Sequence, residues 1–219
     1  MEDINKKEER KYLLISLIGN TRVGKSRFFK IIKNLEISSK LVSTICLDLY
    51  SFNKEDNFFT LIDTPGDEVT FGLISNNENF LKCQVFILMY DNSKKETYEL
   101  ERLKFWINQV KNAKQNAKLK KKCIFFILGN NRKSKEESNG EDFIPINETI
   151  INELNNEYQK INYLIFNMGL VNMDEESLKE EKVDKKCEEM LNILEGVDLS
   201  EETEKTGGKT GKHKKCTIY

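Results

Sequence analysis

The chain has 219 residues, a length that predicts one domain with a tail. Its 35 Lys and Arg nearly balance 36 Asp and Glu, and the net charge of −1 excludes a strongly basic nucleic-acid binder. Hydrophobic residues make up 38% of the chain, which excludes global disorder. No apolar run approaches the ~18 residues of a membrane-spanning helix, and the charged arm, residues 1–11, lacks the apolar centre of a secretory signal.

Hydrophobic patterning predicts an alternating series of strands and helices. The first strand is the dense apolar run that ends at Gly19, and residues 26–35 follow it with helical periodicity. The later strand candidates are Ile45–Phe52, Phe58–Ile62, Gln84–Tyr90, Cys123–Leu128 and Asn162–Phe166. The later helical patterns are Glu96–Val110, Asn147–Lys160 and Glu175–Leu194.

This order of elements predicts an α/β fold. A short polar turn, Asn53–Asn57, joins two strands into a hairpin, and strands then alternate with helices. We expect a six-stranded, mostly parallel sheet with one antiparallel edge strand and with helices on both faces. The predicted domain spans residues 12–195. Residues 196–219 predict a flexible tail, because they contain four Gly, five Lys and few apolar residues.

The segment between the first strand and the first helix fits the phosphate-binding pattern G-x-x-x-x-G-K-[ST], the P-loop. Its glycines let backbone N–H groups curl around phosphates. Its lysine places a positive charge on the outer phosphates, and its serine hydroxyl can bind Mg²⁺. The helix that follows offers its N-terminus to the anion. The predicted phosphate-binding residues are Gly19, Asn20, Thr21, Arg22, Val23, Gly24, Lys25 and Ser26.

Two further motifs complete a resemblance to the Ras-superfamily small GTPases, most closely to the Rab branch. Ser43–Leu49 (STICLDL) resembles the Rab switch I sequence, and Asp63–Gly66 (DTPG) matches D-x-x-G at the end of a strand. The resemblance implies that Thr44 senses the γ-phosphate and Mg²⁺, that Asp63 holds Mg²⁺, and that the Gly66 N–H meets the γ-phosphate. Without the P-loop, an amphipathic edge strand would be the better interpretation of STICLDL, and DTPG also makes a good tight turn.

The chain departs from the family pattern in switch II and at the base site. Asp67 replaces the water-orienting Gln, and a carboxylate adds like charge and donates no hydrogen bond when ionised, so hydrolysis should be slow. The guanine motif N-K-x-D aligns with Asn130, Asn131, Arg132 and Lys133. Lys133 has no acceptor for guanine, so base selectivity should be weak. The second base loop aligns with Asn167, Met168 and Gly169.

The C-terminus has the C-a-a-X form of a prenylation site at Cys216. It follows the four tail lysines, Lys209, Lys212, Lys214 and Lys215. One lipid chain plus a polybasic patch is a two-signal membrane anchor. The final Tyr departs from the usual last residues of such motifs, and an unmodified cysteine is the alternative interpretation.

We therefore predict a Rab-like, membrane-anchored GTP/GDP switch with Mg²⁺ as cofactor and slow hydrolysis; its role in vesicle traffic rests on the resemblance. The expected partners are effectors at switches I and II, an exchange factor, a GTPase-activating protein and the membrane, with no nucleic acid. The expected location is the cytoplasmic face of a membrane, with a cytosolic pool. The alternatives are a pseudo-GTPase scaffold and a P-loop protein of relaxed base specificity. The implied catalytic residues are Lys25, Thr44, Gly66 and Asp67, and the implied metal ligands are Ser26, Thr44 and Asp63.

Overall fold

The computed structural model of the protein describes residues 11–33, 44–54, 57–119, 123–130, 146, 148–158, 161–165, 190–194 and 216–217. The elements in chain order are β1 Tyr12–Ile18, α1 Lys25–Ile32, β2 Asp48–Lys54, β3 Asn57–Asp63, α2 Glu68–Ile74, α3 Glu78–Lys82, β4 Val85–Asp91, α4 Leu100–Asn116, β5 Ile124–Asn130, α5 Glu148–Glu157, β6 Ile161–Ile165 and β7 Cys216–Thr217. None of the helices in these ranges is long and apolar enough to cross a membrane.

The strands form one mixed sheet in the order β2-β3-β1-β4-β5-β6-β7. Neighbouring strands run parallel throughout, except that β2 and β3 form an antiparallel hairpin in which Lys54 pairs with Asn57. The predicted α/β class, with its antiparallel edge strand, is therefore confirmed. β1 lies between β3 and β4. The chain after β1 therefore first adds β2 and β3 on one side of it and then β4 and the later strands on the other side. Ligands of open α/β sheets bind at the carboxyl ends of strands at such a switch point.

Side-chain alternation along the strands divides the core into two layers, because successive residues of a strand point to opposite faces. One layer packs α1 and the helical residues 190–194 on the sheet, and the other packs α2, α3, α4 and α5 on the opposite face. The first layer takes Val85, Ile87 and Met89 from β4. The second layer takes Phe86, Leu88 and Tyr90. The predicted helices on both faces are thus present.

The structure corrects three details of the predicted architecture. Two short helices, α2 and α3, lie between β3 and β4, where we expected none. β2 begins at Asp48 rather than Ile45, whose side chain is 76% exposed. The sheet has seven strands rather than six, because β7 pairs with Leu164 and Ile165 of β6. Cys216 and Thr217 form this two-residue strand, and residues 196–215 and 218–219 of the predicted tail lie outside the described residues.

Candidate nucleotide and metal site

The P-loop connects β1 to α1 through two glycines with left-handed backbones. The φ angles of Gly19 and Gly24 are 130° and 104°. A Cβ at Gly19 would lie 2.2 Å from the carbonyl oxygen of Met89, and one at Gly24 would lie 2.3 Å from Asn130 Nδ2. A side chain at either position would therefore collide with the neighbouring strand ends, so the loop can curl this tightly only with glycine.

The N-terminus of α1 is suited to an anion. Its N-cap is Gly24, and no side chain caps the first turn, which also contains no acidic residue. The first backbone N–H groups of a helix have no partner within the helix, and the helix dipole places partial positive charge there. A phosphate group is the ligand that both features favour.

Lys25 lies beneath the P-loop with its side chain folded back onto the backbone. Its Nζ donates to the carbonyl oxygens of Gly19 and Asn20, at 2.8 and 2.7 Å. Burial lowers the pKa of Lys25 from 10.5 to about 8, and the nearby negative charge of Asp63 partly opposes this. The P-loop thus holds an ammonium group that would gain from an anionic partner.

Thr21, Arg22 and Val23 complete the loop. Thr21 and Arg22 are exposed and Val23 is buried. Arg22 has a φ angle of 61°, a left-handed backbone that is uncommon for a residue with a side chain.

Three oxygen-bearing side chains from separate segments meet beside Lys25. Ser26 Oγ lies 2.6 Å from Thr44 Oγ1, and Thr44 Oγ1 donates to Asp63 Oδ2 at 3.0 Å. The other carboxylate oxygen of Asp63 is buried and has no hydrogen-bond partner among the described residues. Burial raises the pKa of Asp63, while the Ser26 hydroxyl and the Lys25 ammonium oppose the rise.

This oxygen set fits Mg²⁺. Magnesium takes hard oxygen ligands and is commonly held by one or two carboxylates together with substrate phosphates and waters. The unpartnered oxygen of Asp63 is a buried acceptor that a cation would satisfy. The described residues contain no cluster of three or more His, Cys, Asp or Glu side chains that could hold a metal.

The start of switch II packs directly on the P-loop. Thr64 is fully buried and its Oγ1 donates to the carbonyl oxygen of Leu17, at 2.5 Å. A Cβ at Gly66 would lie 2.4 Å from backbone atoms of Asn20 and Thr21. Only a glycine lets the chain approach this closely, so the N–H group of residue 66 is held at the edge of the phosphate loop.

Asp67 is the N-cap of α2, a role that the sequence analysis did not assign. Its Oδ1 accepts hydrogen bonds from both the backbone N–H and the hydroxyl of Thr70, each at 2.9 Å. These bonds lower the pKa of Asp67. The carboxylate is therefore ionised at neutral pH and is engaged with its own helix.

Asn130 is the one base-site candidate that the structure describes. It is fully buried at the end of β5, and its Nδ2 donates to the carbonyl oxygen of Val23 at 2.9 Å. Its Oδ1 has no partner within the described part of the chain. Asn130 thus ties the P-loop to β5. The other predicted base contacts lie outside the described residues: Asn131, Lys133, Asn167, Met168 and Gly169.

Sequence reasoning missed two residues that contact the site from α4. Arg102 Nε and Trp106 Nε1 both donate to the side-chain oxygen of Asn20, at 2.7 and 2.6 Å. Their i,i+4 spacing, which places both on one face of a helix, was the available signal. The spacing could not identify Asn20 as their shared partner.

Comparison with known protein families places these motifs in one recognised domain. The family model described as 50S ribosome-binding GTPase matches residues 14–131, which is more than half of the chain and includes the P-loop, both switch motifs and Asn130. A search of the curated proteins found no match. The matched domain implies guanine-nucleotide binding and a GTP-binding switch; it does not by itself support membership of the Ras or Rab families. The chain belongs to the family described as 50S ribosome-binding GTPases, with a P-loop GTPase domain.

Proposed function

We propose that the protein is a Mg²⁺-dependent guanine-nucleotide switch that hydrolyses GTP slowly. The observation that carries the proposal is the contact of Ser26, Thr44 and Asp63, three segments far apart in sequence, beside the buried ammonium of Lys25. Thr44 belongs to switch I, and Asp63 begins switch II. A ligand that holds these side chains therefore orders both segments, which is how a γ-phosphate acts on switch loops.

Each residue of the site has a chemical task in this proposal. Lys25 turns from the P-loop carbonyls to the outer phosphates, where its charge stabilises the leaving oxygens. Ser26, Thr44 and Asp63 would hold Mg²⁺, which would supply positive charge to the phosphate oxygens. The N–H of Gly66 donates to the γ-phosphate. Asp67 stands where a water-orienting amide is expected, and its carboxylate both repels phosphate charge and caps α2.

Nucleotide-dependent thermal stabilisation tests this proposal. A ligand at 100 times its Kd stabilises the folded state by about 2.7 kcal/mol, so GTP with Mg²⁺ should raise the melting temperature by several degrees. Lys25→Ala should abolish the shift, and Ser26→Ala should abolish its Mg²⁺ dependence. Ser51→Ala is the matched control, because the Ser51 hydroxyl contacts Thr60 in the β2–β3 hairpin and not the site. Equal shifts in all four proteins would contradict the proposal.

A second candidate is a binding module that holds nucleotide without hydrolysing it, with relaxed base selectivity. The engagement of Asp67 with Thr70 favours it, because this carboxylate is fixed to its own helix and offers no amide donor. Lys133 in the aligned guanine motif also favours this candidate, because a lysine has no acceptor for the guanine N–H groups. Single-turnover phosphate release and competition between GTP and ATP separate this candidate from the first.

The membrane-anchored, Rab-like role is also a proposal. Its support is the C-a-a-X form at Cys216 and the four tail lysines. Cys216 lies in the two-residue strand β7, which pairs with β6. The proposed division of the chain is a charged arm (1–11), the GTPase domain (12–195) and a lipid-bearing tail (196–219). The proposed location is the cytoplasmic face of a membrane, with a cytosolic pool and a role in vesicle traffic.

Effectors, an exchange factor and a GTPase-activating protein are the partners that a switch of this kind requires. The surface that they would contact includes Ile45, Val69 and Leu73, which are 76%, 75% and 77% exposed and lie in or beside the two switches. Large exposed apolar side chains in such segments suit a protein partner. The family description refers to the 50S ribosome, but the net charge of −1 gives this chain no general attraction to RNA, and we propose no nucleic-acid partner.

A further inference from the structure

The side chain of Asn20 joins the P-loop to helix α4. Its Oδ1 accepts hydrogen bonds from Arg102 Nε and Trp106 Nε1, while its backbone oxygen accepts from Lys25 Nζ at 2.7 Å. Trp106 is 1% exposed, so loss of the Asn20 acceptor would leave a buried indole N–H without this hydrogen bond. One residue of the phosphate loop therefore contacts the P-loop lysine with its backbone and α4 with its side chain.

Arg102 carries the contact onward to switch II. Its Nη1 forms an ion pair with Glu68 Oε1, at 2.5 Å, and Glu68 is the first residue of α2. The guanidinium also lies over the rings of Phe105 and Trp106, 4.7 and 5.5 Å from their centroids. A planar guanidinium can donate to two partners from one fixed position, which a lysine ammonium on a flexible stem does not do.

The same tryptophan supports α2 from below. Phe71 is the only buried residue of α2, and its ring meets Trp106 edge-on, at 5.1 Å and 86°. Val69 and Leu73 of this helix are exposed. The Phe71 ring and the Glu68 ion pair thus connect the helix to the two α4 residues that hold Asn20, and Ile74 adds a partly buried contact with the same core layer.

We propose that Arg102 is a positioning residue that couples the P-loop to switch II. The coupling runs from Lys25 through Asn20 and Arg102 to Glu68. The inference rests on the proposed nucleotide switch, and it assigns to that switch a route which none of the motifs contains. When Lys25 turns towards a phosphate it releases the backbone oxygen of Asn20, and the change reaches α2 through the two hydrogen-bonding edges of one guanidinium.

An isolated surface ion pair would not carry such coupling. The side chains of Arg102 and Glu68 are 25% and 50% exposed, and exposed pairs contribute little by themselves. The difference here is that Asn20 and two aromatic rings fix the guanidinium before Glu68 meets it, so breaking any one contact affects the others.

A double-mutant cycle tests the proposal. Glu68→Gln is introduced into the wild type, into Arg102→Ala and into Arg102→Lys, and the ratio of the Kd values for GDP and GTPγS is measured for each protein. We expect Glu68→Gln to change this ratio about fivefold or more in the wild type and by less than about twofold in either Arg102 background. Glu78→Gln is the matched control, because Glu78 forms an exposed pair with Lys82 on α3. It should leave the ratio unchanged in all backgrounds.

Trp106 supplies an independent readout, because it is the only tryptophan of the chain. Its emission should differ between the GDP and GTPγS complexes of the wild type, and the difference should shrink in both Arg102 variants. Equal effects of Glu68→Gln in all three backgrounds, or an unchanged emission difference in the Arg102 variants, would overturn the coupling while leaving nucleotide binding intact. A wild-type protein that binds neither nucleotide would overturn the proposed function and the coupling with it.

Discussion

Raising the pH above 8 should weaken nucleotide binding through Lys25. Burial lowers the pKa of this lysine from 10.5 to about 8, and its Nζ faces the carbonyl oxygens of Gly19 and Asn20. Ordinary lysines keep their charge until much higher pH. The site should therefore lose the positive charge that receives a phosphate at a pH where ordinary lysines keep theirs.

The pKa of Lys25 gives the size and the sign of two pH effects, one on nucleotide affinity and one on the stability of the protein. A phosphate favours the charged lysine, so nucleotide Kd should rise about tenfold between pH 7 and 9, as the charged fraction of Lys25 falls. The stability of the protein without nucleotide should increase over a similar pH range, although nucleotide binding weakens. Because the folded-state pKa is below the unfolded value, the unfolded chain binds more protons between pH 8 and 10.5. The free energy of unfolding of the protein alone should rise with pH across that window, by up to ~3 kcal/mol.

Calorimetric titration of GTP at fixed excess Mg²⁺ from pH 7 to 9 measures the first effect, and urea unfolding at pH 8 to 10 measures the second. Lys25→Met is the control for the unfolding experiment, because a methionine of similar length has no charge to lose and should not show the rise in stability with pH. A wild-type Kd that stays constant from pH 7 to 9, or an equal rise in the stability of Lys25→Met, would refute the assignment of Lys25 as the titrating group that meets the phosphate.

Three further changes test other parts of the structure. Phe71→Ala should lower the free energy of unfolding by about 3 kcal/mol in urea unfolding, because it empties the contact of α2 with the core, whereas Leu73→Ala on the exposed face should change it by less than about 0.5 kcal/mol. Asp67→Gln should accelerate single-turnover phosphate release, because it removes the negative charge and adds a hydrogen-bond donor. Asp67→Asn keeps the helix cap, so it separates the loss of the charge from the loss of the cap, which is worth about 1 kcal/mol of stability. No acceleration in Asp67→Gln would mean that another step limits hydrolysis. Cys216→Ser should make the protein fully soluble in cell fractionation and changing the four tail lysines to Gln partly soluble, because a single lipid chain is a marginal anchor and each lysine adds ~1 kcal/mol. Pelleting of the Ser variant with membranes, as for wild type, would exclude Cys216 as the anchor.

The sequence predicted the buried strands well because burial on both faces leaves a dense apolar run. β4 and β5 lie within two residues of their predicted bounds for this reason. β2 was predicted too early, because the apolar Ile45 suggested a strand although its side chain is exposed in the structure. The helices α2 and α3, with 7 and 5 residues, were missed because each buries only one side chain and thus shows no periodicity.

The parts of the site that could be predicted depend on residues close together in the sequence, and the parts that could not depend on contacts between distant residues. The P-loop could be identified from the spacing of Gly19, Gly24 and Lys25, because adjacent residues create the phosphate cradle. The contact between Asn20 and Arg102 joins residues 82 positions apart, and no pattern in the sequence encodes it. The capping role of Asp67 could not be predicted, because Asp is a common capping residue only just before a helix and the sequence does not predict α2.

The proposed function depends on a magnesium-dependent guanine-nucleotide site made by Ser26, Thr44 and Asp63 beside Lys25. The most direct measurement is calorimetric titration of GTP into nucleotide-stripped protein, with Mg²⁺ and with EDTA, for the wild type and for Asp63→Ala. The structure predicts tight binding by the wild type with Mg²⁺, a large loss of affinity in EDTA, and little Mg²⁺ dependence in Asp63→Ala, because the buried carboxylate is the only charged metal ligand of the set. Wild-type binding that is equally strong in Mg²⁺ and in EDTA, or no binding of GTP with Mg²⁺, would contradict the claim.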